Sequence, residues 1–436
     1  MTARYLAVKA LIRQEQNGFA NLVLDAELKK AHPPLESRDA AFAAGIFYTV
    51  LERQNLLDHI LDRFSKKPVA KLDAPVRAIL RAGLAQANHM QVPLSAAVNE
   101  SVKLAKAFGK TSAAGMVNAV LRRAAACKVA QSDFPDPLMQ LQIYYSLSAP
   151  IAQLLYNQYG ADALPLAAAF YHRPPMLIRV NTLKTDDEAL TGILRDGGCM
   201  VEPGPWAHSL AVRFPAGPAA TQAFADGLFH VQGAASQFAA DCVDAQPGQR
   251  VLDLCAAPGG KSLTMAQAMQ NKGELISGEG VQSRVSLLQA AFDRCGVTCA
   301  APLHSDAAVF DAQRGVFDRV LCDVPCSGLG VIAKKPDIRY KNLDQIVKIY
   351  ILQQNILQNG ANYLAQNGRL VYSTCTVNYL ENQAQIAEFL RNNHEFYVVP
   401  TKNAPHGARV EEYGTLFLPQ ETGTDGFFVA ILQRKG

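Results

Sequence analysis

The stretch VLDLCAAPGGKS at 251–262 decides the fold. An apolar run with strand character ends in a glycine turn, and a helix start follows at once. Backbone N–H groups and the helix dipole at such a start can hold an anionic or polar ligand. Two familiar nucleotide loops are excluded. A P-loop needs glycine five residues before Gly260, where this chain has Cys255. The cluster Pro258-Gly259-Gly260 also breaks the GxGxxG spacing of a dinucleotide fingerprint. By themselves the glycines would serve equally as a tight β–α turn. The carboxylates downstream narrow the choice: Glu279, Asp306 and Asp323 each stand at or just past the end of a strand. Acidic residues at successive strand ends line a cofactor crevice at the carboxyl edge of an α/β sheet, and Glu279, 19 residues past Gly260, suits the hydroxyls of a ribose.

Outward from the loop, strands are predicted at 250–255, 274–278, 318–324 and 369–374, with helices at 282–294, 344–363 and 379–391. This alternation predicts a mainly parallel sheet with covered faces over 246–436. Residues 138–245 read as a mixed α/β segment, with strand-like MLIRVNTL (176–183) and LFHVQG (228–233) flanking the helical DDEALTGILRDGG. Residues 1–130 read as helices throughout, from apolar positions such as Leu6, Leu11, Ile79 and Leu84 at helical spacing. Within them, 92–109 has Ser95 as its candidate N-cap and stops at Gly109. The polar, two-proline stretch VAQSDFPDP (129–137) is the expected linker.

A chain of 436 residues with 49% apolar and 18% charged content is an ordinary globular protein. No apolar run approaches the ~20 residues of a membrane span. MTARYLAVKALIRQEQ at the N-terminus lacks the apolar core of an export signal, so a cytoplasmic address without a membrane partner is expected. Nine scattered cysteines, an odd number, argue for reduced thiols. Cys295/Cys299 and Cys322/Cys326 mimic zinc half-sites, but no histidine pair completes the spacing, and no metal is expected. Residues 1–130 hold 19 Lys and Arg against 10 Asp and Glu, a balance of +9, while the remainder carries −5. A basic module beside a mildly acidic one suggests docking on a polyanion, although a solvated helical surface has the same composition.

DVPCSG (323–328) and YSTCTV (372–377) each end an apolar run with a cysteine. Alone, either thiol would be read as a buried structural cysteine. Two strand-end thiols beside Asp323 suit nucleophilic catalysis, with one thiolate attacking and the other groups assisting. The residues do not rank Cys326 against Cys375.

DLCAAPGGK, DVPCSGLGVIAKKPDIRY, YSTCTVNYLEN and DGFF (425–428) closely resemble the NOP2/Sun family of S-adenosylmethionine-dependent RNA cytosine-5 methyltransferases. RPPMLIRVN (173–181) resembles that family's N-terminal catalytic extension, and residues 1–125 resemble a NusB-type helical RNA-binding domain. The resemblance implies an all-α NusB-like domain followed by a Rossmann-like methyltransferase with an α/β extension. It implies S-adenosylmethionine on Cys255, Ala256, Ala257, Pro258, Gly259, Gly260 and Lys261, its ribose on Glu279 and its adenine near Asp306. Asp323 would face both cofactor and target base. Cys375 would attack and Cys326 would assist release. Arg173, Arg179, Lys334, Lys335 and Arg339 are candidates to clamp RNA phosphates beside a flipped base. The domain order is similar to that of bacterial members acting on 16S ribosomal RNA, so a monomeric enzyme working on unassembled 16S RNA is expected. Two rivals are an enzyme of the same fold acting on transfer RNA or another RNA, and an RNA-binding antitermination protein with an inert catalytic half. Two departures stand out: Glu279 replaces the family's usual Asp, and Gly233 follows Gln232 where an acidic residue is usual.

Overall fold

The computed structural model describes residues 2–16 and 20–435. One compact unit comprises Met1–Tyr171 with Lys334–Leu343, and the other comprises His172–Ala333 with Asp344–Gly436. The division falls well beyond the linker expected at 129–137. The helices Ala149–Tyr159 and Ala163–Ala169 therefore belong with the first unit, and only the sheet-bearing part of 138–245 belongs with the second.

In the first unit, helices Ala3–Gln14, Ala20–Lys29, Ser37–Asp62, Ala74–His89, Leu94–Ala107 and Ala114–Ala124 close over one core that includes Phe47, Val50, Leu57, Ile79 and Leu80. Helix Ala74–His89 is buried along most of its length. Its neighbours approach closely because Gly83 has no side chain: a Cβ there would lie 2.6 Å from Ser101 Oγ and 2.7 Å from a Leu121 methyl. Ser95 is not an N-cap. Pro93 takes that position, its fixed φ starts the helix at Leu94, and Ser95 falls inside the first turn. Helix Ser37–Asp62 is kinked at Arg53 (φ −131°, ψ 20°). There the Tyr340 hydroxyl donates to Leu51 O (2.8 Å) and accepts from Gln54 N (3.1 Å), an insertion into the helical ladder of the kind that bends helices.

The second unit begins with a four-stranded antiparallel sheet of β1 (Leu177–Val180), β2 (Met200–Pro203), β3 (Ser209–Arg213) and β4 (Phe229–Val231), ordered β2-β3-β1-β4. Helix Asp187–Asp196, capped by Asp186 on Ala189 N, buries Leu190 and Leu194 against Ile178, Val180 and Phe229. A nine-stranded sheet follows, from β5 (Arg250–Asp253), β6 (Glu274–Glu279), β7 (Ala300–His304), β8 (Phe317–Asp323), β9 (Leu364–Thr374), β10 (Phe396–Val399), β11 (Arg409–Glu411), β12 (Gly414–Phe417) and β13 (Phe427–Arg434). Its order is β11-β12-β13-β9-β8-β5-β6-β7, with β10 also on β13. The half from β9 to β7 is parallel, as the alternating pattern requires. The half built on β13 is antiparallel, so the sheet expected to be mainly parallel is mixed.

Candidate active site

Register determines what meets at the carboxyl edge. β8 and β9 are parallel neighbours with Asp323 level with Ser373, so the chain leaves both strands at the same height. Cys326 and Cys375 follow those exits, and their Sγ atoms lie 3.1 Å apart. Both residues are half-buried. The contact with Cys375, and then burial, push the Cys326 thiol well above its usual range. Burial and the neighbouring sulfur thus favour the protonated form of Cys326, and either sulfur can donate in the contact. Cys322, inside β8, is fully buried with its Sγ toward Ile356 O, and burial pushes its thiol up as well.

Asp323 lies between two donors. Lys261 Nζ reaches its Oδ2 at 2.6 Å, and Ser373 Oγ reaches its Oδ1 at 2.7 Å. The same Lys261 ammonium stands 5.4 Å from the Phe427 ring centroid, which brings the late DGFF motif to the site. Gly426 of that motif donates its N–H to Gly330 O (2.8 Å), and Gly330 donates to Cys375 O (3.0 Å). This approach demands two glycines, since a Cβ on Gly330 would stand 1.9 Å from Gly426 O.

The glycine loop joins β5 to helix Gly260–Ala268. Gly259 adopts φ +104°, a conformation that L side chains rarely take. Asp253 anchors the loop from beneath, accepting from Ser262 Oγ (2.7 Å) and Cys255 N (3.4 Å), while Ser277 donates to Ser262 Oγ (3.0 Å). Burial pushes the Asp253 carboxyl up to about 7. Glu279 is buried at the end of β6, with Oε1 accepting from Val281 N (2.8 Å), and exposed Asp306 lies just past β7. From the methyltransferase extension, Gln232 accepts from Thr264 Oγ1 (2.9 Å) and stands 3.2 Å from the fully buried His230, whose imidazole is pushed down to about 4 by burial. Gly233 is the N-cap of helix Ala234–Val243 and caps it with no side chain.

This crevice fits S-adenosylmethionine. A Cβ on Gly260 or Gly280 would find no heavy atom nearer than 3.8 Å beyond its chain neighbours, so the backbone is open to a ligand there. The helix start presents N–H groups without intrahelical partners, and three strand ends are acidic, which suits a ribose and a sulfonium cation.

The phosphate-clamp candidates divide. Arg173, Lys334 and Lys335 are exposed. Arg339 is not a surface cation: it is fully buried in the first unit, donates to Tyr145 O (2.8 Å) and Phe170 O (3.0 Å), and stacks over Tyr171 at 4.4 Å. Arg179 is likewise buried and held bidentate by Asp241 at 2.9 and 3.0 Å. Neither is placed to clamp a phosphate. Asp253, Ser262, Ser373, Gly330, Gly426, Glu381 and Asn382 are the site residues that sequence reasoning missed. Glu381 and Asn382 lie inside the motif quoted above, yet nothing in its spacing announces their burial.

The parallel half of the sheet, with this carboxyl edge, defines the class: an S-adenosylmethionine-dependent methyltransferase. Three family patterns match the chain, namely NusB family over residues 1–126, an RsmF/B-like ferredoxin-like domain over 151–216 and 16S rRNA methyltransferase RsmB/F over 240–433. The probable ribosomal RNA small subunit methyltransferase B of Bacillus subtilis is 33% identical over 100% of this chain and 99% of its own length. That of Synechocystis is 32% identical, with both chains covered completely. The crystal structure of PH0851 superposes with a TM-score of 0.84 at 26% identity, covering 100% of this chain and 99% of that one. The chain belongs to the RsmB/F family of 16S rRNA methyltransferases.

Proposed function

We propose that this enzyme methylates C5 of a specific cytosine in 16S ribosomal RNA through a covalent Cys375–C6 intermediate. The contact between the two thiols carries the reading: two sulfurs meet at the carboxyl edge, where one can attack while the other assists, and the raised Cys326 thiol favours Cys375 as the nucleophile. Residues 255–261, Glu279 and Asp306 would hold the cofactor. S-adenosylmethionine supplies an electrophilic methyl group when bound. Cys375 Sγ adds to C6 while the Asp323 carboxyl shares a proton with N3, and the ring becomes an enamine nucleophilic at C5. After transfer, solvent water takes the C5 proton as the base, the C5–C6 double bond is restored and Cys375 leaves as a thiolate. The Cys326 thiol hydrogen-bonds the departing sulfur and eases its release.

The substrate is taken to be unassembled 16S RNA, acted on in the cytoplasm by a monomer. Among the described residues no helix is long and apolar enough to cross a membrane. The relatives named for small-subunit RNA, matched over their full length, favour this substrate over transfer RNA. In the first unit, Arg63 lies against Cys127 (3.5 Å) and Arg123 over Phe64 (5.2 Å). The segments so joined expose Lys66, Lys67, Arg122, Arg123 and Lys128, cations suited to phosphates.

The test is to compare Cys375→Ala with Cys326→Ala on 16S RNA and on transfer RNA. Cys375→Ala should neither methylate nor form an adduct. Cys326→Ala should transfer the methyl and stall, giving a protein–RNA band that survives a denaturing gel. The reverse pattern would exchange the roles of the thiols, and activity in both variants would remove the covalent route.

A further inference from the structure

Glu381 has no part in the chemistry above, yet it is fully buried beside both thiols. Its two carboxylate oxygens take five donors. Oε1 accepts from Ser327 Oγ (2.5 Å), Asn378 Nδ2 (3.0 Å) and Thr376 Oγ1 (3.3 Å), and Oε2 accepts from Ser327 N (2.7 Å) and Gln353 Nε2 (3.1 Å). Two of these donors come from the residue after Cys326, and one comes from the residue after Cys375. Ser327 Oγ and Thr376 Oγ1 also touch at 2.8 Å, one residue along each loop from the sulfur contact.

A buried carboxylate is costly unless its lone pairs are filled, and scaffolding alone is served as well by apolar packing. Here both loops present donors to one point, and only a group with two accepting oxygens answers all of them. An amide would turn its own donors on at least one. We propose that Glu381 is a positioning residue that sets the separation of Cys326 and Cys375 and, by its charge, opposes loss of the Cys326 proton. This inference rests on the thiol roles proposed above.

The electrostatics agree. Around Cys326 stand Cys375, Glu381, the buried Tyr372 phenol and, three residues earlier, Asp323 with its partner Lys261. The Cys375 contact and burial raise the Cys326 thiol most, and the Glu381 charge adds to them. Tyr372 is tied to the same point, its hydroxyl donating to Glu381 O at 2.7 Å.

The experiment uses the full chain and two readouts. The first is single-turnover methylation of 16S RNA, with cofactor affinity and melting temperature as controls. The second is the pH dependence of Cys326 alkylation by iodoacetamide in a Cys375→Ser background, followed by peptide mass spectrometry. Glu381→Gln should slow methylation roughly 10- to 100-fold, the loss expected from charge-assisted hydrogen bonds, with cofactor affinity unchanged. It should also move the alkylation midpoint to lower pH. Mere loosening would raise alkylation at every pH and leave the midpoint in place. Ser327→Ala cuts one tether and keeps the charge, so it should slow methylation while leaving the midpoint unchanged; it also serves if Glu381→Gln does not fold. A wild-type methylation rate in both variants would overturn the positioning role, and an unmoved midpoint in Glu381→Gln would overturn the charge role. Alkylation needs neither RNA nor methyl transfer, so its failure is separate from failure of the C5 reading.

Discussion

Gly330→Ala tests whether backbone contact between the DVPCSGLG and DGFF segments holds Cys375, the proposed nucleophile, in place. The new Cβ would stand 1.9 Å from Gly426 O and 2.5 Å from Gly426 C. Both atoms belong to backbone, so the two segments must part by about 1 Å or more to reach ordinary contact. That movement stretches the Gly426 N–Gly330 O and Gly330 N–Cys375 O hydrogen bonds, now 2.8 and 3.0 Å. Two lost bonds at about 1 kcal/mol each, with overpacking of about 2 kcal/mol, give a destabilisation of about 4 kcal/mol. For a unit of this size that corresponds to roughly 8–16 °C in Tm. Because Cys375 O is one of the displaced groups, the Cys375 sulfur moves too, and on the proposed mechanism a 1 Å misplacement costs about 100-fold in rate. Differential scanning calorimetry and single-turnover methylation at a temperature where the variant stays folded measure the two effects. The glycine loop leaves a different strand, so cofactor affinity should hold. A Tm within about 2 °C of wild type together with an unchanged rate would refute the argument, since a methyl group cannot enter that gap without moving backbone.

Asp253 should leave a signature in pH-dependent stability. Its folded pKa is raised to about 7 from 3.8, so between those values the folded chain binds a proton that the unfolded chain has released. Stability from this group is complete below about pH 4 and is lost as pH rises through about 7, a swing of up to roughly 4 kcal/mol. Asp253→Asn should flatten that part of the curve in urea unfolding at pH 5 and pH 8; an unaltered slope would assign it to other groups. Replacing Lys66, Lys67, Arg122 and Arg123 by glutamine should reduce the slope of log binding constant against log salt by about 3 if all four touch phosphate. An unchanged slope would mark those cations as ordinary solvated surface.

The residues legible in the sequence are those whose role follows from neighbours along the chain. The glycine turn at 258–260 and the acids at 279, 306 and 323 could be placed because a strand end is a local event and the carboxyl edge of a parallel sheet follows from alternation. That Cys326 and Cys375 touch is different. It requires β8 and β9 to be neighbours in register, and this depends on a strand order no spacing reveals. The antiparallel half of the sheet escaped notice for the same reason, since its pairing is settled by β13. The errors fall on polar and charged side chains. Ser95 was assigned from its type, but Pro93, two residues earlier, decides the cap by sterics. Arg179 and Arg339 read as phosphate clamps because a sequence reports charge and not burial, and their partners lie 62 residues away at Asp241 and 194 and 169 residues away at Tyr145 and Phe170. Glu381 is the converse case, a charge passed over although it holds both cysteine loops. Burying an ion is tolerable only when distant segments supply its partners, so a buried charge marks the point where such segments must agree. For Glu381 those segments are the two that carry the thiols, which is why the least legible residue of the site is also the one whose removal should be felt at both sulfurs.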